Sequence, residues 1–500
     1  MITATIPPHQ TWLADTYACA FQGLETLRPL VVDLDGTLIH TDMLHESALK
    51  VFRESPWSAL LLPVWLLQGK AVLKQRLAQR TAFNAGVLPY NQTLIDWLRE
   101  QKQLGREIVL CTASDQRFAE AIAEQLGLFD SVLASDGQTN LSGRQKAQAL
   151  VDRYGEQGFD YAGNSTKDLP VWASAHQAVV VNASTAVTER AQQCARVETV
   201  FPPAPTGIMA WLKVVRAHQW LKNLLLFFPA IAAHDLNDPA ILGVLALAFC
   251  SFSLCASAVY ITNDLTDLES DRLHPRKRNR PFASGAIAAW KGVLLSPMLL
   301  LGSVVIGSLV SLEFLGWLAV YFLLTLAYSF GLKRLMIVDC LVLAMLYTLR
   351  IIAGAAASEN ALTFWLLTES VFLFLSLAFV KRYAELKLQS KAGASQAHGR
   401  GYLTSDAPLI QNLGISAGFI AVLVLALYLN SDSVLGLYQN TALVWAAIPI
   451  LLFWISWMWM QANRGNMNDD PLVFAVKDKT SLMAGAAFAL VLALATLGWP

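Results

Sequence analysis

The feature that most constrains this fold is a succession of long apolar runs in the second half of the chain. Nine segments have close to the length that a helix needs to cross a bilayer, about 20 residues. They lie near 221–236, 240–262, 292–311, 314–331, 337–357, 364–380, 409–429, 441–461 and 481–499. Because a helix satisfies every backbone group within lipid, we predict an all-α polytopic membrane bundle of about nine transmembrane helices. The first run is the weakest, since Lys222 and Asn223 stand at its start.

The charges between these runs predict their orientation. The connections around 234–240, 311–316, 358–363 and 430–440 contain no Lys or Arg. The alternate connections carry the cations of 272–291, 333–334, 381–400 and 464–479. By the positive-inside rule the second set faces the cytoplasm. We therefore expect a multi-pass protein of the inner (cytoplasmic) membrane whose N-terminal domain is cytoplasmic.

A separate domain precedes the membrane region. Residues 1–205 hold 17 Lys and Arg against 21 Asp and Glu, whereas residues 206–500 hold 20 against 16. The proline-rich stretch 201–207 (FPPAPTG) stops any regular element where the composition changes. We predict a domain at 1–200, a linker at 201–209 and the membrane domain at 210–500.

The N-terminal domain has the pattern of an α/β fold. Pro29–Leu34 and Glu107–Cys111 are buried-strand patterns, each followed by a polar turn and helical periodicity. Weaker candidate strands are Ser131–Ala134, Tyr161–Gly163 and Ala178–Val181. The stretch Leu60–Leu67 is very apolar but too short to span a bilayer, so we expect it to pack in the core rather than lie on the membrane.

Charge and cysteine content argue against several function classes. No domain is strongly basic, so nucleic acid is not an expected partner. The six cysteines are scattered, without a CxxC pair or a histidine at ligand spacing, which favours inert thiols. The first thirty residues lack a basic start followed by an apolar run, so we expect no cleaved signal peptide.

Carboxylates follow the second apolar run. Asp264, Asp267 and Asp271 are spaced i, i+3 and i+7, which is typical of one helix face. Such a face at the lip of a membrane span is costly unless a divalent cation binds it, and Mg²⁺ takes carboxylate oxygens while sharing its shell with phosphate. Cations at 272, 276, 277, 278 and 280 suit the same anion. We predict a diphosphate site with Mg²⁺ as cofactor; the alternative is an ordinary polar loop with positive-inside charge.

Asp33 and Asp35 close the first predicted strand. A carboxylate at a strand end, with a second two residues on, suits a nucleophile and an acid–base partner. The segment DLDGT (33–37) resembles the first motif of the haloacid-dehalogenase-type phosphatases, which implies a Rossmann-like α/β fold with a helical cap, here at about 42–100. Thr112, Lys146 and the segment GNSTKD (163–168) follow in the order of the family's other motifs.

This resemblance implies a role for each residue. Asp33 would attack phosphorus, Asp35 would protonate the leaving oxygen, and Thr112 and Lys146 would hold the phosphate. The implied Mg²⁺ ligands are Asp33, Asp35, Asn164 and Asp168. The family usually has Asp where this chain has Asn164, so a retained but inactive phosphatase fold is the alternative. Nothing in the cap names a substrate.

The segment NDLTDLESD (263–271) resembles the first Asp-rich motif of the UbiA superfamily of intramembrane transferases, over roughly 210–500. These enzymes bind a diphosphate through Mg²⁺ at Asp-rich motifs on opposite helices. The second motif departs from the common pattern, because Asp339 is present but position 343 is Leu. Arg350 lies inside the fifth predicted span, where an unpaired charge is expensive, so we expect Asp339 or a bound phosphate beside it.

Several charged segments resemble one branch, the decaprenyl-phosphate phosphoribosyltransferase-like proteins. They are RAHQWLKN (216–223), HPRKRNRP (274–281), KRYAEL (381–386) and DDP (469–471). The branch implies transfer from phosphoribosyl diphosphate to a polyprenyl phosphate, with Asp264, Asp267, Asp271 and Asp339 as catalytic carboxylates. The implied substrate contacts are Lys222, Asn263, Arg278, Arg280, Tyr328, Lys333, Arg350 and Lys381.

The fusion suggests consecutive steps, in which the phosphatase removes the 5-phosphate of the lipid-linked product. One alternative is a UbiA-type prenyltransferase that joins a polyprenyl diphosphate to an aromatic acceptor, with a phosphatase domain of unrelated or lost activity. Another is a non-enzymatic lipid-binding or transport protein. The single Asp339 and the extra cations count against the first, and the intact aspartates at 264–271 against the second. Polyprenyl length and oligomeric state are not predicted.

Overall fold

The computed structural model describes residues 27–59, 61–204, 206–274, 276–391, 393, 400–431, 438–467 and 470–497. Cys19 and Asp469 lie outside this part of the chain. The structure divides into two compact units. The first comprises Met1–Trp211 and Asp264–Val293, and the second comprises Leu212–Asn263 and Leu294–Pro500. The Asp-rich segment after the first long membrane helix therefore belongs with the N-terminal unit.

A parallel sheet forms the centre of the first unit. Its strands are β1 (Leu30–Val32), β2 (Ile108–Asp115), β3 (Ser131–Ser135), β4 (Asp160–Gly163), β5 (Gln177–Val181) and β6 (Arg196–Phe201). They run in the order β3-β2-β1-β4-β5-β6. All five predicted strands are confirmed. Strand β6 was missed: it lies at the edge of the sheet, and every second residue in it is exposed, so it lacks the apolar run of a buried strand. Strand β1 lies in the middle, so its carboxyl end opens between β2 and β4.

Helices cover both faces of this sheet. They are α1 (Met43–Glu54), α2 (Pro56–Ala59), α3 (Leu62–Leu67), α4 (Lys70–Arg80), α5 (Gln92–Gln103), α6 (Gln116–Leu126), α7 (Arg144–Tyr154), α8 (Leu169–Ser174) and α9 (Thr185–Cys194). Leu30 and Val32 point into one core, whereas Val31 points into the other. This alternation is the period of a strand that is buried on both sides.

The second unit is helical. Its helices, with those at its boundaries, are α10 (Ile208–Val214), α11 (Phe228–Ala232), α12 (Pro239–Thr266), α13 (Leu268–Leu273), α14 (Ala289–Ser308), α15 (Leu312–Phe330), α16 (Val338–Ser358), α17 (Phe364–Lys391), α18 (Ala407–Leu429), α19 (Thr441–Val444), α20 (Ala447–Arg464), α21 (Pro471–Lys477) and α22 (Lys479–Thr496). Among the described residues, eight helices are long and apolar enough to cross a membrane. These eight correspond to the last eight predicted spans.

The first predicted span, 221–236, is not one helix. A 3₁₀ segment covers Ala217–Phe227 and the short α11 follows it. Lys222 and Asn223 are buried in this segment, and Pro229 lies in the first turn of α11. Because two polar side chains need partners inside the protein, the segment cannot present an apolar surface all round.

Two local predictions are also corrected. The continuous helix expected for 264–271 is broken at Asp267, which has a non-helical ψ of 14° between α12 and α13. In the stretch Leu60–Leu67 the side chain of Trp65 is buried, but Leu66 and Leu67 are exposed. Helix α3 packs against the domain through Trp65, so core packing accounts for Trp65 but not for the two leucines that follow.

Candidate active sites

The first candidate site lies at the carboxyl end of β1. The ammonium group of Lys146, on α7, donates to Asp33 Oδ1 at 2.6 Å, to the hydroxyl of Tyr161 at 2.9 Å and to the carbonyl of Cys111 at 3.1 Å. Asp33 and Lys146 are only 7% and 3% exposed. The structure therefore brings together two residues that are far apart in sequence, in the arrangement expected of a nucleophile and a neutralising cation.

Asp35 is held on the other side of this strand end. Its carboxylate accepts from the hydroxyl of Ser114 at 2.6 Å and from the backbone N–H of Met43 at 2.8 Å. Thr112 is fully buried, and its hydroxyl accepts from the backbone N–H of Ser114 at 3.0 Å. Asp35 is thus fastened to β2 and to the first residue of α1.

Burial sets the protonation of this pair. Removal from water raises the pKa of Asp33 to about 6, although Lys146 opposes the shift. Burial, with the negative charges of Asp42 and Asp33, raises the pKa of Asp35 to about 7. Burial would lower the pKa of Lys146, but its interactions with Asp33, Cys111 and Asp168 together outweigh burial and hold this pKa above its ordinary value. Near neutral pH, Asp33 is therefore mostly ionised while Asp35 retains a proton part of the time.

The loop after β4 supplies the last predicted residues. Gly36 has φ +78°, and a Cβ there would come within 2.0 Å of the side-chain nitrogen of Asn164, so the amide lies directly against the DLDGT turn. Asp168 accepts from the hydroxyl of Tyr161 at 2.9 Å and from the backbone N–H groups of Asn164 and Ser165 at 3.1 and 2.9 Å. Asp168 therefore shapes the loop that presents Asn164.

The residues at this strand end fit Mg²⁺. Two adjacent carboxylates and a side-chain amide are oxygen donors of the kind that this ion prefers. Burial is the main cause of the raised pKa values of Asp33 and Asp35, and a bound cation would favour the ionised form of both carboxylates. Asn164 contributes a neutral amide oxygen. The set of oxygen donors therefore carries one negative charge fewer than it would with Asp at position 164.

Sequence reasoning missed two residues of this site. Ser114 lies two residues after Thr112 and holds Asp35. Lys74, on α4, donates to the carbonyl of Ala113 at 2.6 Å and to Asn140 at 3.0 Å. Burial lowers the pKa of Lys74. Ser114 could have been predicted as a site residue, because it follows closely after Thr112 at a strand end. Nothing in the sequence distinguishes Lys74 from the other cations of the cap.

The second candidate site is the Asp-rich segment. Asp264 and Asp271 are 3% and 1% exposed, and the guanidinium of Arg280 lies 2.9 Å from Asp264 Oδ1 and 2.5 Å from Asp271 Oδ2. Burial raises the pKa of Asp271, against the opposite effect of Arg280. Two buried carboxylates thus converge on the guanidinium of Arg280, and their oxygens are donors of the kind that Mg²⁺ prefers. Arg278, also predicted here, lines a cavity of about 290 Å³ in the same unit.

The cap helix α1 contacts this Asp-rich segment. Glu46 Oε1 and Oε2 accept from the two terminal nitrogens of Arg272 at 2.6 and 3.2 Å. Lys50 Nζ lies 3.0 Å from Glu269, and Arg53 lies 4.0 Å from Asp267. The backbone of Gly285 approaches His40 so closely that a Cβ would lie 2.6 Å from the His40 carbonyl oxygen. The segment is therefore held by charge pairs from the α/β domain.

The second unit contains a cationic cluster around Asp470. Lys222 and Lys381 lie 2.7 and 3.2 Å from Asp470 Oδ2, and the hydroxyl of Tyr347 donates to Oδ1 at 2.9 Å. Burial opposes ionisation of Asp470, but Lys222 and Lys381 outweigh it and hold its pKa below the ordinary value. The structure thus brings together Lys222 and Lys381, both predicted as substrate contacts, with Asp470, which the sequence analysis named only within the segment DDP.

Arg350 is buried among neutral groups of the same unit. Its guanidinium donates to Asn223 Oδ1 at 2.9 Å and to the hydroxyl of Tyr321 at 3.1 Å, and it lies 4.8 Å from the Tyr321 ring centroid. The expected pairing with Asp339 is not what the structure shows, because Asp339 pairs with other arginines. Aromatic faces and amide oxygens stabilise the buried cation instead.

Asp339 anchors a third cluster in this unit. It is fully buried, 2.5 Å from Arg382 and 3.2 Å from Arg400, and accepts from the hydroxyl of Tyr402 at 2.5 Å. Arg400 also donates to the hydroxyl of Tyr328 at 3.0 Å. Arg382 was missed as a site residue, although it stands beside Lys381 in the KRYAEL segment. Lys333 lies in the 3₁₀ turn Leu332–Arg334.

Fold and sites together define a class of protein: a multi-pass helical membrane protein with buried carboxylates and cations, joined to an α/β domain that has paired carboxylates at the end of its central strand. Residues 224–482 match the model of the UbiA prenyltransferase family, and residues 30–172 match that of haloacid dehalogenase-like hydrolases. The chain belongs to the UbiA prenyltransferase family and carries a haloacid dehalogenase-like domain. Both are enzyme families.

Three relatives show how far this similarity extends. The protein y4nM of Sinorhizobium fredii is 37% identical over 93% of this chain and 91% of its own length. Nodulation protein NoeC of Azorhizobium caulinodans is 36% identical over 58% of this chain and 94% of its own. The decaprenyl-phosphate phosphoribosyltransferase of Mycolicibacterium smegmatis is 31% identical over 55% and 89%. The similarity to y4nM therefore extends across both domains, whereas the other two relatives match little more than half of this chain.

Proposed function

We propose that the membrane domain transfers phosphoribose from phosphoribosyl diphosphate to a polyprenyl phosphate at the cytoplasmic side of the inner membrane. The observation that carries this proposal is the surplus of cations over carboxylates in the contacts around Asp470 and Arg350 of the second unit. Lys222 and Lys381 share the single carboxylate of Asp470, and Arg350 is surrounded by neutral donors and acceptors. Buried cations without equal numbers of carboxylates favour an anionic ligand. The similarity to the mycobacterial relative supports the same choice of substrates.

The proposed reaction is a displacement at the anomeric carbon. A phosphate oxygen of the lipid forms a bond to C1 of the ribose, and the bond from C1 to diphosphate breaks, with the electron pair leaving on diphosphate. The lipid phosphate is already an anionic nucleophile, so no general base is required. Asp264 and Asp271, with Asp267 beside them, would hold Mg²⁺, whose charge stabilises the departing diphosphate. Lys222, Lys381 and Arg350 would orient the substrate phosphates.

We further propose that the α/β domain hydrolyses the 5-phosphate of the lipid-linked product. Asp33 would attack phosphorus, forming an aspartyl phosphate, while Asp35 gives its proton to the departing sugar oxygen. Water then releases inorganic phosphate from Asp33. The contact of Lys146 with Asp33 and the raised pKa of Asp35 support these roles.

Mass analysis of the lipid product tests the transferase proposal. Purified full-length protein receives Mg²⁺ and either phosphoribosyl diphosphate with a polyprenyl phosphate, or a polyprenyl diphosphate with an aromatic acid. We expect a pentosyl lipid in the first reaction, with or without its 5-phosphate. A prenylated aromatic acid in the second reaction, with an unchanged lipid in the first, would establish the alternative prenyltransferase instead.

A further inference from the structure

Several apolar side chains are exposed along one short segment of the cap of the α/β domain, residues 57–67. Trp57 and Leu67 are 83% and 89% exposed, and Leu61, Val64 and Leu66 are between 41% and 51% exposed. We call these five residues the apolar cap surface. Contiguous exposed apolar patches on protein domains mark sites of interaction, because leaving them in water is unfavourable.

The surrounding structure holds this surface outward. Trp65 is the buried residue of α3 and packs with Val51, Leu73 and Leu77 in a small cluster. The guanidinium of Arg80 lies 4.7 Å from its ring centroid. With Trp65 fixed inward, Val64 and Leu66 lie about 100° to either side of it around the helix axis, and Leu67 lies about 200° away, on the side opposite the cluster. The exposure therefore follows from the packing of α3.

The charges that follow this surface in sequence have one sign, whereas the exposed Glu54 precedes it. Between Glu54 and Asp96 the sequence contains four cations and no acidic residue. Three of the cations, Lys70, Arg76 and Arg80, are exposed. A segment with exposed Trp and Leu, followed by cations alone up to Asp96, has the composition of an element that lies in the headgroup region of an anionic membrane.

We propose that the apolar cap surface inserts into the lipid headgroup region, with Lys70 and Arg76 facing anionic headgroups. The occupant is a lipid bilayer because the chain carries eight candidate membrane spans, so a bilayer is always within reach of the domain. Helix α4 follows this surface and carries Lys74, whose ammonium contacts Ala113 and Asn140 at the phosphatase site. Insertion would thus hold the cap beside headgroups that carry phosphate esters. The proposal does not depend on which reaction the membrane domain catalyses.

Photo-crosslinking in the full-length protein tests this proposal. Leu67 is replaced by p-benzoylphenylalanine and the protein is placed in nanodiscs containing phosphatidylglycerol. The matched control places the same group at Glu124, an exposed polar residue of α6. We expect adducts with lipid from position 67 and not from position 124. Equal adducts at both positions, or crosslinks from position 67 to a second copy or another protein segment in place of lipid, would overturn the proposal.

Two further measurements ensure that the test does not depend on the Leu67 variant alone. The crosslinker at Trp57, which belongs to the same surface but a different helix, is expected to give lipid adducts as well. Nanodiscs of phosphatidylcholine alone, or the double variant Lys70→Glu/Arg76→Glu in anionic nanodiscs, should lower the adduct yield at position 67 several-fold. An unchanged yield in both would overturn the role of the two cations.

Discussion

At the scale of single residues, Lys146 shows how one buried cation organises a site. It joins α7 to Asp33, and its hydrogen bond to Tyr161 continues to Asp168, which shapes the loop of Asn164. Four sequence motifs thus meet at one ammonium group. The chemistry of each motif was predictable, but the hydrogen bonds that join them depend on the sheet order.

Replacement of the nucleophile should separate the two activities. We expect Asp33→Asn to lower hydrolysis of p-nitrophenyl phosphate at least about a thousandfold, because the amide cannot attack phosphorus. Formation of the pentosyl lipid should be unchanged in the same preparation. Hydrolysis at the wild-type rate would show that Asp33 is not the nucleophile.

Asn164→Asp should strengthen binding of Mg²⁺ to the phosphatase site. The change adds a negative charge to a side chain that lies against the DLDGT turn, with almost no change in size. We expect the Mg²⁺ concentration for half-maximal phosphatase activity to fall by about tenfold. Asn164→Ala is the control and should move this concentration the other way; equal values for all three proteins would exclude position 164 from the metal site.

Lys222→Met tests whether the Asp470 cluster binds substrate. The variant should fold, because Lys381 and Tyr347 still contact Asp470. Loss of one charged contact should raise the KM for phosphoribosyl diphosphate roughly tenfold. The double variant Lys222→Met/Asp470→Asn discriminates the roles: recovery of the wild-type KM would mean that Lys222 serves only as a partner of Asp470.

At the scale of elements, helix α1 contacts residues of both candidate sites, the strand-end site of Asp35 and the Asp-rich segment. Helix α1 begins at Met43, whose backbone N–H donates to the proposed acid Asp35, and it carries Glu46, which binds Arg272. One helix thus connects the phosphatase carboxylate with the segment that holds Asp271. The helix and the segment are both visible in the sequence, but their contact spans 226 residues.

Weakening this contact should loosen the Asp-rich segment. We expect Glu46→Gln to speed hydrogen exchange of the amides of 264–274, with a fall of about 1–3 kcal/mol in their opening free energy. Exchange in the β-sheet should be unchanged. The charge-swapped pair Glu46→Arg/Arg272→Glu should restore part of the protection; if neither variant alters exchange, the segment is held by other contacts.

At the scale of the whole molecule, the two proposed reactions form a sequence on one lipid. With phosphoribosyl diphosphate and a polyprenyl phosphate, we expect wild-type protein to accumulate the ribosyl lipid without its 5-phosphate. Asp33→Asn should accumulate the phosphorylated lipid in equal amount, as measured by mass spectrometry. The phosphorylated lipid as the lasting product of both proteins would mean that the phosphatase acts on another substrate.

Several features were determined by the sequence alone because their physical causes are local. Apolar runs of bilayer length predict spanning helices, and the last eight were confirmed. Carboxylates at the ends of apolar strands predicted the position of Asp33 and Asp35. The first run failed because length and apolarity do not show that Lys222 and Asn223 are buried in polar contacts rather than placed at an interface.

The tertiary structure decided which charges meet. Asp339 pairs with Arg382 and Arg400 rather than with Arg350, and the Glu46–Arg272 contact joins the cap to the Asp-rich segment. Neither pairing has a signature in sequence spacing, because the partners come together only when their helices pack. The same holds for α3, where the packing of Trp65 determines that Leu66 and Leu67 are exposed. Local patterns specify the elements and their chemistry, whereas packing specifies the neighbours on which each buried charge depends.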